Sequence, residues 1–430
     1  MTLSIDADRV LSDLQELAAA SGGEHAGAKR LAWSPDWETA RAWLLGKLDE
    51  LGDGVTVERD EAGNLWAELA GGEDAPDGFV IVGSHIDAVP SGGWLDGCLG
   101  LLTALEVLRT LAAAGAPPAI AVRLVDWADE EGARFGRSLV GSSAVAGTLE
   151  PDDVRGLLDA GGTTLQDAMA SVGVDLDAAT AARSRLDGAR AYLELHIEQG
   201  PVLKDTGRLA SAVSGTFGDE RYLITFTGQS AHAGSTPMHL RRDTLAAAAT
   251  AALEIREVGI RHGGVTTVGA ITSAPAVITA IAGESEMMLD LRHLDADVLA
   301  TMLAECLDAC ARAAEAFDCG VQPRRVFGAT PTPFHPKLIA LARAAVEAAG
   351  GGDGGVGGAP IPSGPLHDAT EIGRLVPTVM IFAQSDPPIS HTEVEDSPVD
   401  ALRVAIEAYG ATVGEAIALI AAGELDGAVR

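Results

Sequence analysis

Apolar positions recur along the chain with two periods, and their alternation predicts an α/β protein. Within residues 3–20, Val10, Leu11, Leu14 and Leu17 fall at helical spacing, and Trp37, Ala40, Trp43, Leu44 and Leu48 do the same within 36–52. Strand-like segments follow at 55–59 and 64–69, then an apolar run over 80–87, a helix over 100–114 and a second apolar run over 120–128. Strands alternating with helices favour a largely parallel sheet covered on both faces. Residues 150–189 read as helical material without an assignable role, and 191–196 as another short strand.

From about Val213 the pattern changes. Strands at 221–227, 265–271, 285–292 and 321–327 alternate with helices at 240–258 and 296–317. That is a βαββαβ order, which makes a four-stranded antiparallel sheet with two helices on one face. The expected organisation is a first domain over 1–212, an inserted domain over 213–331 and a return to the first domain over 332–430. The returning part holds a helix at 336–349, a glycine run from Gly350 to Gly358 that reads as a connection, a buried strand at 376–382 and a closing helix at 398–422.

Charge narrows the partners. With 62 acidic against 30 basic residues the formal charge is −32, which argues against nucleic acid or an anionic membrane, since both are held by positive patches. The cysteines Cys98, Cys306, Cys310 and Cys319 form no regular framework and read as reduced thiols. The acidic start of the chain lacks a secretory pattern, and the apolar runs are broken by Gly, Pro or charge. A cytoplasmic protein is expected.

The chemistry sits at the ends of the apolar runs. His85 and Asp87 end the 80–87 run, and the turn-rich loop after it presents Asp96. A ligating imidazole commonly has its other nitrogen held by a carboxylate, here expected to be Asp87. The 120–128 run leads into Asp129-Glu130-Glu131-Gly132, the strand at 191–196 ends in His196, and the loop after 376–382 carries His391. The carboxyl ends of strands are where an open α/β sheet places its ligands. Mixed imidazole and carboxylate donors suit zinc, with manganese or cobalt as alternatives.

The stretches GSHIDAVPSGGWLDG, DEEGARF, HIEQGPVL, GQSAHAGSTPM, LDLRH, SGPLHDA and ISHTEVED, in this order between residues 83 and 396, resemble the M20-type dinuclear zinc amidohydrolases. The resemblance is greatest to the branch of N-carbamoyl-L-amino-acid hydrolases, β-ureidopropionases and allantoate amidohydrolases. It implies two divalent ions per subunit, with His85 and His196 on one, Glu131 and His391 on the other, and Asp96 bridging. It further implies Glu130 as general base and an inserted domain that acts as lid and homodimer interface. His232 would then reach the partner's active site to stabilise an oxyanion, and Gln199, Arg292, Thr279, Leu366 and His367 would lie against a small amide or ureide substrate. Arg292 would grip its carboxylate through two hydrogen bonds.

Departures from the family pattern cluster where substrate is expected. Pro275 to Gly283 lacks both usual asparagines and has Ala276 and Thr279 instead, Leu366 replaces a small residue, and Trp94 stands where a smaller or basic side chain is frequent. These changes point to a less polar or bulkier substrate than allantoate. The competing readings are an allantoate amidohydrolase, an N-acyl or peptide amidase, and a non-catalytic metal-binding dimer. Glu130, which has no duty as a ligand, favours catalysis over the last.

Overall fold

The computed structural model describes residues 3–22, 27–73, 75–350 and 358–425. The expected glycine connection falls largely on 351–357, outside the described residues. The chain divides into two compact units, Met1–Ser214 with Phe334–Arg430, and Gly215–Pro333.

The larger unit is built on a mixed sheet whose strands run in the order Val55–Arg59, Leu65–Leu69, Ala121–Trp127, Phe79–His85, Ala189–Ile197, Thr378–Ala383, Ala210–Thr216. The middle four are parallel to one another, and antiparallel neighbours close both sides. Strands buried on both faces need no polar alternation, and Phe79–His85 is buried at every position. Its register pairs Ser84 with Asp126 and His85 with Trp127, so the two strands end level and deliver their loops to one edge.

The helix Cys98–Ala113 follows at once and is apolar nearly all round, with Leu99, Leu101, Leu102, Leu105, Val107 and Leu108 fully buried. It starts two residues earlier than the sequence pattern indicates. Gly97 precedes it at φ +65, and a β-carbon there would stand 2.4 Å from the carbonyl oxygen of His85 and 2.5 Å from its imidazole. Only glycine lets the loop carrying Asp96 pass this close over the strand end. The helix Val399–Ala421 is long and apolar enough to cross a membrane, but its apolar length is buried in this unit's core through Leu402, Ile406, Tyr409, Val413 and Ile417. Residues 150–189 form short pieces, Pro151–Val154, Leu165–Ser171 and the 3-10 turn Ala179–Leu186, instead of long helices.

The smaller unit has strands Gly218–Thr227, Val265–Ala274, Glu284–His293 and Gly320–Ala329 and helices Thr244–His262 and Ala296–Ala316. The sheet is antiparallel with Gly218–Thr227 and Glu284–His293 in the middle, and Val265–Ala274 and Gly320–Ala329 at the edges. Ile224, Phe226, Met287, Leu289 and Leu291 meet Ala247, Ala251, Ile255, Met302 and Cys306 of the helices in a core of its own. Side chains on a strand alternate between faces, so the other face of the sheet is left to polar residues such as Glu284, Glu286 and Asp290 and to the exposed Met288.

Candidate metal centre

Four strand ends of the larger unit meet at one place. His85 is the last residue of Phe79–His85, His196 lies one residue inside the end of Ala189–Ile197, and Glu130, Glu131 and His391 sit in loops just beyond Ala121–Trp127 and Thr378–Ala383. Asp96 enters from the loop before the Cys98–Ala113 helix.

The two buried imidazoles present the same face inward. Nδ1 of His85 lies 3.1 Å from the carbonyl oxygen of Asp87, and Nδ1 of His196 lies 2.9 Å from that of Ile197. A carbonyl only accepts, so each Nδ1 carries the proton and each Nε2 offers a lone pair. Asp96 Oδ1 stands 3.8 Å from Nε2 of His85 and 3.0 Å from Nε2 of His196, while its Oδ2 stands 3.6 Å from Nε2 of His391. His391 Nε2 is in turn 3.4 Å from Glu131 Oε2. Two groups of donors result, His85 with Asp96 and His196, and Asp96 with Glu131 and His391. Donors held about 2.0–2.1 Å from a tetrahedral ion stand about 3.3 Å apart, and the separations here, from 3.0 to 3.8 Å, bracket that value.

The electrostatics ask for cations. Burial, reinforced by Asp368, Glu131, Asp96 and Asp87, pushes the Glu130 carboxyl well above its ordinary range. Burial with Asp96, Asp87 and Glu395 does the same for Glu131. The two histidines diverge. Burial dominates at His85 and pulls it down, whereas at His196 burial is outweighed by Asp96 and the imidazole is pushed up to about 9. Without an ion, Asp96 Oδ1 at 3.0 Å favours a second proton on His196, at Nε2; a divalent ion would take that proton's place and use the lone pair. Among the described residues, Nε2 of His85 and Oε1 of Glu131 are buried and have no hydrogen-bond partner. Such atoms are costly unless something fills the space they face, and the donor set fits two divalent ions.

Around these donors the structure differs from the sequence expectations in three places. The Phe79–His85 strand stops before Asp87, so the Asp87 carboxylate does not lie along the His85 imidazole; it is 3.7 Å away, and the backbone carbonyl holds the ring instead. Asp87 Oδ1 and Oδ2 accept the backbone N–H groups of Glu130 and Glu131 at 3.2 and 3.3 Å, which ties the two loops together. His367 is fully buried with its ring 4.4 Å from that of His196 and its Nε2 3.0 Å from Ser363 Oγ. It backs His196, and the half-buried Leu366 precedes it. Gln199 reaches the centre, where its amide nitrogen lies 2.9 Å from Asp96 Oδ2 and 3.0 Å from Ser390 Oγ.

His232, Thr279 and Arg292 belong to the smaller unit. His232 is exposed and its Nδ1 accepts the N–H groups of Gly234 and Ser235, both at 3.1 Å, so its proton sits on the outward Nε2. Thr279 shares a ribbon with it, since Ala280 pairs with His232 and the Thr279 carbonyl accepts from Ala233 N–H at 2.8 Å. The guanidinium fork of Arg292 meets the Asp290 carboxylate at 2.9 and 3.1 Å, a strand neighbour on the same face. Sequence reading passed over Glu395. Its Oε2 accepts from His391 N–H at 3.0 Å and from Ser390 Oγ, and the only local signal is a carboxylate four residues after a candidate ligand.

A centre of this composition at strand ends is matched over residues 81–415 by the model of peptidase family M20/M25/M40. The chain belongs to that family. Within it, an N-carbamoyl-L-amino acid amidohydrolase of Geobacillus stearothermophilus is 35% identical over 95% of this chain and 98% of its own length. An allantoate amidohydrolase of Escherichia coli K12 is 34% identical over 86% of this chain and 88% of its own. The crystal structure of a hydantoinase/carbamoylase family amidase from Burkholderia multivorans superposes with a TM-score of 0.84 at 32% identity, covering 96% of this chain and 98% of that one. The M20 member described here is therefore similar along nearly its whole length to hydrolases named for linear ureides and amides.

Proposed function

We propose that the chain hydrolyses a linear C–N bond in an N-carbamoyl-L-amino acid or a related N-substituted amino acid, releasing ammonia and carbon dioxide from the carbamoyl group. The observation that carries this is the division of Asp96, one oxygen toward His85 and His196 and the other toward His391, with a carboxylate at Glu130 that neither group requires. Two divalent ions held by His85, Asp96, Glu131, His196 and His391, zinc in our reading and manganese or cobalt as alternatives, would polarise the scissile carbonyl and acidify a water.

The protein's own part is proton transfer and orientation. Glu130 Oε2 lies 3.7 Å from His85 Nε2, at the edge of the donor group. It takes a proton from the attacking water and returns it to the leaving nitrogen, a task open to a buried carboxyl beside the centre that neither donor group uses. Asp87 holds the backbone of Glu130 and Glu131, and Gln199 orients the bridging carboxylate. His232, protonated on its exposed Nε2, has the form needed to donate to an oxyanion. Arg292 is the substrate's carboxylate partner in this reading and would exchange Asp290 for it.

A homodimer fits the smaller unit. Leu245, Leu253 and Ile260 form an exposed apolar line along Thr244–His262, beside Val265–Ala274, whose outer edge is unpaired among the described residues. A second copy would cover both, adding strand to strand about a two-fold axis, and His232 would serve its partner's centre. Free thiols at all four cysteines suit the cytoplasm. One observation favours a second reading, an N-acyl amidase: Ala276, Val277 and Ile278, the last 98% exposed, share the His232 ribbon where polar recognition is usual.

Ammonia and amine release from N-carbamoyl, N-formyl and N-acyl amino acids and allantoate separates these readings. Carbamoyl turnover that falls by orders of magnitude in Glu130→Gln, at unchanged metal content, is expected. Turnover confined to acyl compounds moves the assignment to the second reading, and full activity in Glu130→Gln removes Glu130 as the base.

A further inference from the structure

The segment Gly27 to Trp33 is spliced across both ligand-bearing loops. Ala28 N–H donates to Gly92 O at 2.8 Å, Ser91 N–H to Ala28 O at 3.2 Å and Ala88 N–H to Arg30 O at 3.1 Å. The wholly buried Arg30 donates from Nε to Ile86 O at 2.8 Å, between His85 and Asp87. So far the segment holds the loop of Asp96. Three residues on it crosses to the other loop, where Trp33 Nε1 donates to Asp129 Oδ2 at 2.6 Å and the Trp33 carbonyl accepts from Arg134 at 2.5 Å.

Asp129 has no room and an unusual backbone. It is fully buried, immediately precedes Glu130 and Glu131, and adopts φ +56. A non-glycine residue keeps a left-handed conformation only where its surroundings over-determine it. Val140 N–H on the Asp129 carbonyl, at 3.1 Å, is one such hold, and the Trp33 indole on its carboxyl is the one that reaches in from outside the loop. Trp33 is itself anchored, at φ +60 and with its ring 5.0 Å from that of Trp37 in an edge-on contact.

We propose that Trp33 and Asp129 are a positioning pair that sets the Glu130-Glu131 loop, and with it the half of the metal centre made by Glu131 and His391. The pair touches neither substrate nor any candidate ligand. It acts by fixing the turn from which Glu131 reaches Asp96 and His391, while the His85 and His196 half is held by separate strands. The inference rests on the two-ion reading of the centre and not on the substrate assignment.

Trp33→Phe keeps an aromatic ring at Trp37 but removes part of the buried indole along with the N–H, so Asp129→Ala, which removes the acceptor and leaves the indole, is read beside it. Chelator-competition titration with Zn2+ reads both binding steps, and His391→Ala identifies which step belongs to the Glu131 side. Trp33→Phe should weaken that step about tenfold or more and leave the other within about twofold, in line with the usual effect of removing a partner behind a ligand. Asp129→Asn keeps an oxygen acceptor for the indole and should titrate like the wild type, whereas Asp129→Ala should follow Trp33→Phe, and the double variant should be no worse than either. Wild-type titration in Trp33→Phe, or equal weakening of both steps, overturns the pair as a positioning device. A wild-type chain that takes up no divalent ion overturns the two-ion reading and this inference with it, while a silent substrate panel leaves the titration to decide.

Discussion

At the scale of single residues, each side chain's role follows from which of its atoms is already spoken for. His85 and His196 give Nδ1 to backbone carbonyls and so can offer only Nε2 to the centre. Asp96 has contacts on both oxygens with different histidines, which makes its loss unlike the loss of a terminal ligand. Asp96→Ala should abolish binding of both ions, whereas His391→Ala should leave about one per subunit, because His85, His196 and Asp96 remain together. Metal analysis of the dialysed variants reads this directly, and equal stoichiometry in the two would contradict a bridging role. Arg292 is the counter-example at this scale. A strand arginine two residues from Asp290 has an internal partner at hand, and the structure uses it.

Elements place those residues by register. The level ends of Ala121–Trp127 and Phe79–His85 bring the Glu130 loop beside Asp87, and Gly97 lets the next helix begin directly over His85. The apolar periods marked out these strands and helices, with boundaries displaced by up to four residues. The largest displacement is at 240–258, observed as Thr244–His262 with Asp243 capping its first turn by accepting Ala246 N–H. That helix carries the exposed Leu253. Leu253→Lys should give monomers by sedimentation with the smaller unit still folded, since the residue makes no part of the core, and should lose activity despite an intact Glu130 if His232 serves the partner. A dimer that survives the lysine would place the interface elsewhere.

For the molecule as a whole, the centre is an electrostatic liability that a metal relieves. Burial and mutual repulsion raise Glu130 and Glu131 well above the usual carboxyl range, and Asp87 is pushed up to about 6, chiefly by burial. Ions that bind only the folded state stabilise it by about 4 kcal/mol when present at a thousand times their dissociation constant. Chelation should therefore lower the unfolding midpoint by several degrees, and Zn2+ should restore it. A midpoint insensitive to chelator would mean that the folded chain holds no such ions.

How much of this the amino-acid order decides by itself depends on distance along the chain. The α/β alternation, the antiparallel βαββαβ pattern and the chemical character of each strand end are local properties, since burial period and turn residues act over a few positions. They were legible without a structure, as was the likeness to M20 amidohydrolases. Contacts between distant segments were not. Asp87 binding the Glu130 and Glu131 amides spans more than forty residues, Trp33 binding Asp129 spans 96, and His367, just before the helix Asp368–Ile372, packs its ring against that of His196 on Ala189–Ile197. Hydrogen bonds of this kind need a specific distance and direction, and only the packed sheet, which brings its strand ends to a common edge, supplies both.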